Sequence, residues 1–76
     1  MAKVHIVEPI AIEILAKNVR KYRVKTNISQ TTLAELVGVT YSQIARIELA
    51  EINTSVSMIY LIAMALEIEP GQLLER

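Results

Sequence analysis

The side chains that ordinarily carry out chemistry are few in this chain and poorly placed for catalysis. Its single histidine, His5, stands alone with no ligand partners, and Glu8, Glu13 and Glu35 form no acid pair at catalytic spacing. No Ser–His or Cys–His arrangement and no glycine-rich phosphate loop is present, so neither an enzyme, nor a metal site, nor a bound cofactor is expected. What remains is charge and hydrogen bonding. Residues 17–25, KNVRKYRVK, hold five of the eight basic residues and no acid. The stretch 35–48, ELVGVTYSQIARIE, carries Tyr41, Ser42 and Arg46 at helical spacing, on the face opposite Ile44 and Ile47. Such side chains recognise a partner; they do not transform one.

The elements that position these residues follow from the apolar pattern. Seventy-six residues make one domain, near the lower limit for folding without help, and no cysteine is available for a disulfide or thiolate metal site. Apolar residues are 53% of the chain, with no tryptophan or phenylalanine, so the core is expected to be aliphatic. No apolar run reaches membrane-span length and no export signal is evident at the N-terminus. A reducing cytoplasm fits, with no membrane contact.

Residues 1–9 read as a short extended N-terminal arm, KVHIV being β-prone, and residues 10–76 as the folded domain. Pro9 suits the first turn of a helix, where its missing N–H is not needed. That helix is expected to run to about Thr26, with Ile12, Leu15, Ala16, Val19 and Tyr22 inward and Asn27 ending it in a left-handed conformation. Ser29 caps a second helix over residues 30–37, and Gly38 makes the turn. Thr40 caps a third from Tyr41 to about Leu49, Gln43 completing a capping box. A fourth helix spans about Ser55 to Leu66. Pro70 opens a short fifth, with Leu73 and Leu74 on its inner side. Two consecutive helices with separate start signals, joined by three residues, form a helix-turn-helix.

That motif makes strict demands on volume. Ala34 must be small beneath the third helix, Gly38 must take a positive φ, and Leu33, Val37, Val39, Ile44 and Ile47 must be apolar. All seven conditions hold. The run SQTTLAELVGVTYSQIARIE, residues 29–48, resembles the Cro/repressor-type (Xre-like) helix-turn-helix family, whose typical run is SQxxLAxxxGVSxxxISRIE. VRKYR at 19–23 and residues 52–74 extend the resemblance over roughly residues 12–75.

The resemblance implies an all-α, compact five-helix, lambda-repressor-like DNA-binding domain whose third helix enters the major groove. It implies base contacts from Tyr41, Ser42, Gln43 and Arg46, with Arg46 able to bond guanine bidentately. It places Gln30 at a helix N-terminus that receives a phosphate, with Thr31, Thr40, Asn53 and Thr54 as further phosphate donors. Arg23 and Glu48 match an ion pair of the family. Four positions depart from the family pattern. Ala50 and Glu67 occupy positions where glycine is frequent, which predicts either a different helix end or mild strain. Leu49 and Ile52 replace residues that are often basic.

In the fourth helix, Val56, Ile59, Ile62, Ala63 and Leu66 are expected to face the core. Met58, Leu61, Met64 and Ala65 then form a second apolar face, expected to pack against another subunit with Ile68, Leu73 or the arm. The sequence therefore predicts a homodimeric, sequence-specific transcriptional regulator on a pseudo-palindromic operator in double-stranded DNA. The alternative is a protein-interaction module of the same fold with weak or no DNA binding, favoured by zero net charge. Phage repressors, restriction–modification controllers and antitoxins all fit the sequence equally.

Overall fold

The computed structural model describes residues 6–76; His5 and most of the expected arm lie outside the described residues. Ile6–Glu8 are exposed and form no regular element, and no strand occurs among the described residues. The chain forms four α-helices: α1, Pro9–Lys25; α2, Gln30–Val37; α3, Tyr41–Glu48; and α4, Val56–Ala65.

The expected fifth α-helix is instead a 3-10 helix, Pro70–Leu74. The Gln72 N–H donates to the Glu69 carbonyl three residues back, at 2.9 Å. Five residues that include a proline and a glycine are too few for a stable α-helical ladder, and tighter i→i+3 bonding is the usual result.

Each helix start follows local chemistry. The hydroxyls of Ser29, Thr40 and Ser55 accept from the N–H groups of Thr32, Gln43 and Met58. These bonds satisfy donors that the helix itself leaves unpaired. At Thr40 the reciprocal bond is also present, Gln43 Oε1 accepting from the Thr40 N–H at 3.1 Å. The ends rely on left-handed residues: Asn27 at φ 61°, Gly38 at 89°, Ala50 at 59° and Glu67 at 58°. Ala50 and Glu67 thus keep the turn that glycine would favour and carry the strain of a Cβ in that region.

The core joins all the elements. Leu15 and Val19 of α1, Leu33 of α2, Ile44 and Ile47 of α3, Ile62 and Leu66 around α4, and Leu73 form one buried cluster. Each such side chain contributes roughly 1.5–3 kcal/mol on burial. α3 packs on both α1 and α2, α2 on α4, and the 3-10 helix on α1 and α4. Among the described residues, Asn18 is the one polar residue buried as a whole. Its amide donates to the carbonyls of Leu73 (3.0 Å) and Glu75 (2.6 Å), pinning the C-terminal segment onto α1.

Two expected core positions are corrected. Val56, the first residue of α4, is 82% exposed while Met58 and Ile59 of the same turn pack on the core, and Leu74 is 49% exposed beside the buried Leu73.

Candidate nucleic-acid interface

α3 is held from behind and open in front. Ile44 and Ile47 are 0% and 2% exposed, whereas Tyr41, Ser42, Gln43 and Arg46 all lie at the surface. Helical spacing separates the two sets, so burying one face exposes the other. Gln43 is partly committed, since its Oε1 serves the capping box and only its amide N–H groups remain for a partner.

A three-helix clamp fixes the angle of α3. Arg23 on α1 donates from Nε to Glu48 Oε2 at 2.6 Å and from Nη2 to Glu48 Oε1 at 3.0 Å. Its Nη1 donates to the Ile28 carbonyl at 2.9 Å, in the link between α1 and α2. Gln30 Nε2, at the start of α2, donates to the same Glu48 Oε1 at 2.9 Å. One carboxylate in the last turn of α3 therefore ties down α1 and α2 together. The hydrogen bond to Glu48 raises the Arg23 pKa above its ordinary value, against the opposing effect of burial, so the guanidinium stays charged. That arginine is consumed by the fold.

The expected phosphate residues do not form one cluster. Gln30 and Tyr41 share a cleft of about 290 Å³ beside α3. Thr31 and Thr40 are exposed near the starts of α2 and α3. Asn53 and Thr54 line a different cleft, against Ile12 and Leu15 in the N-terminal half of α1. Gln30 keeps one amide hydrogen beyond its bond to Glu48.

The expected subunit-contact residues also divide. Leu61 and Met64 are 46% and 55% exposed. Met58, Ala65 and Ile68 are half-buried against the chain's own core. Leu73 is a correction: at 0% exposure it is locked inside the monomer by the 3-10 turn and cannot reach another subunit. Tyr60, 53% exposed, precedes Met64 by four residues, so helical spacing puts the two in one exposed stripe.

Among the described residues, no group of histidine and carboxylate side chains is arranged to hold a metal, and no helix is long and apolar enough to cross a membrane.

The helix-turn-helix family model matches residues 19–73, more than half of the chain. The chain belongs to the Xre-type helix-turn-helix family. Members are DNA-binding transcription regulators and not enzymes, and this chain is one of them. Control protein C.SmaI of Serratia marcescens is 42% identical over 64 residues, spanning 84% of this chain and 76% of that protein. The restriction–modification controller protein C.AhdI of Aeromonas hydrophila superposes with a TM-score of 0.79 at 34% identity, over 82% of this chain and 94% of that one. A hypothetical transcription factor, NHTF, from Neisseria gives 0.84 at 28% identity, over 99% and 87%. The family fold thus accounts for the clamped α2–α3 pair.

Proposed function

We propose that this regulator binds a pseudo-palindromic operator as a homodimer, with α3 in the major groove, and that it controls a restriction–modification system. The carrying observation is the two-sided α3: apolar residues seal one face while Tyr41, Ser42, Gln43 and Arg46 stand free on the other. Arg46 reads guanine through its forked donors, Tyr41 and Ser42 contact bases or the nearer backbone, and Gln43 adds an amide donor. Gln30, Thr31, Thr40, Asn53 and Thr54 supply phosphate contacts along the flanks.

Exposed apolar surface on α4 supports self-association, through Tyr60, Leu61 and Met64. A dimer doubles the bases read, over half-sites about 34 Å apart. The restriction–modification role rests on likeness to two control proteins of that type.

Selecting bound sites from random duplexes, then titrating the best at two salt concentrations, tests this reading. A dimer using about six to ten phosphates loses roughly three to five decades of affinity between about 50 and 200 mM salt. Selected sites should be inverted repeats and should occur upstream of a restriction or methyltransferase gene. Absent or salt-insensitive binding would overturn the DNA reading and favour a protein-interaction module.

A further inference from the structure

The cations of α1 have different fates in the fold. Arg23 is bound to Glu48. Lys17 and Lys21 border, with Arg20, a second cleft against Leu49 and Ala50, and the Lys21 ammonium stands 5.1 Å from the centre of the Tyr22 ring; neither lysine lines the cleft beside Tyr41 and Gln30. Lys25 lines a separate cleft with Ile28, Leu36 and Ile68. Arg20 is exposed, and no ion pair involves it among the described residues. It borders the cleft beside α3 with Gln30, Tyr41, Ala45 and Leu49, and with Arg23 and Glu48, whose carboxylate is already taken by Arg23 and Gln30.

That cleft has a defined place relative to DNA. Tyr41, Ala45 and Leu49 form one row along α3, next to the row of Ser42 and Arg46 that faces outward. An α-helix with its side chains is about 10–12 Å across and the major groove about 12 Å wide, so a seated helix has a phosphate backbone close on each side. On the side of α1 and α2, the row offers that backbone one phenol, one methyl and one isobutyl group. Leu49 is 66% exposed and carries no charge, and of the residues that follow, Ala50 and Ile52 are apolar and the exposed Glu51 is acidic. The cation at this wall must come from another element.

We propose that Arg20, reaching across from α1, is a phosphate-binding residue of the DNA interface. It supplies the positive charge that the row of Tyr41, Ala45 and Leu49 lacks, Arg46 standing on the outward row instead. The proposal rests on the DNA-binding reading above and names a contact outside the α2–α3 motif. Arg20 lies three residues before Arg23, one helical turn along the same side of α1. One turn decides whether the guanidinium meets Glu48 or the open cleft.

The test is the salt dependence of Arg20→Gln on a selected operator, beside wild type and Lys25→Gln. Thermal unfolding of each variant checks the fold. One lost phosphate contact per subunit lowers the slope of log affinity against log salt by about two units for a dimer. Between about 50 and 200 mM salt, the variant's decline is then roughly tenfold smaller than that of wild type. The weakening is equal on selected and random duplexes, Lys25→Gln keeps the wild-type slope, and adding Leu49→Lys to Arg20→Gln restores it. If wild type binds its operator with a steep slope and Arg20→Gln retains that slope, the assignment of Arg20 is wrong while the DNA reading stands. A loss confined to one base pair would make Arg20 a base reader and overturn the assignment as well. If wild type binds no duplex, the reading beneath it fails first and this contact with it.

Discussion

Two arginines show how surroundings set the role of one side-chain chemistry. Arg23 is 14% exposed at its side chain and gives three of its donors to Glu48 and Ile28. Arg46, two residues before Glu48, is exposed on the far face of α3. Arg46→Ala should cost about 1–3 kcal/mol on the operator and relax the preference at one base pair. Competition among single-base operator variants measures this, and an equal loss on every sequence would reassign Arg46 to a phosphate. Glu48→Ala acts on the fold instead. It strands a largely buried guanidinium and frees Gln30, for a loss of about 3 kcal/mol in urea unfolding. The Ile28 carbonyl and partial exposure keep the loss near the lower end for a broken buried pair. A change within about 0.5 kcal/mol, as at ordinary surface sites, would mean the clamp is idle.

At the scale of elements, the ends of the helices were legible because caps are local chemistry. Ser29, Thr40 and Ser55 each bond an N–H three residues on, within reach whatever the rest of the chain does. Asn27 and Gly38 were equally readable. The 3-10 segment was not, since its five residues open with Pro70 and Gly71 and are held by packing on α1 and α4, which no local pattern reports. Ala50 and Glu67 left two outcomes open, and the positive φ at both decides for strain over an altered end. Ala50→Gly should therefore stabilise by about 0.5–1 kcal/mol, the relief of a left-handed Cβ less the added freedom of the unfolded chain. Thermal melting checks this, and a lower midpoint would show that the partly buried Ala50 methyl is worth more than its strain.

For the whole molecule, a net charge of zero gives no general attraction to DNA, so binding has to rely on where the charges sit and, in the proposed dimer, on two subunits acting together. The outer stripe of α4 is the candidate contact. Met64→Glu should give a monomer by sedimentation, with helix content unchanged because Met64 is already 55% exposed. Operator affinity should fall at the same protein concentration. A dimer that survives the substitution would place the contact elsewhere.

By itself the sequence determined the helix boundaries, the turn at Gly38, the aliphatic core and the two faces of α3. All of these follow from periodicity and from bonds spanning three or four residues. Tertiary structure alone decided which polar groups meet. The Asn18 amide reaches carbonyls 55 and 57 positions away, Glu48 gathers Gln30 as well as the Arg23 that the resemblance had paired with it, and Leu74 turns out beside the buried Leu73. Contacts across such separations depend on the angles at which rigid helices pack, and no local spacing encodes those angles.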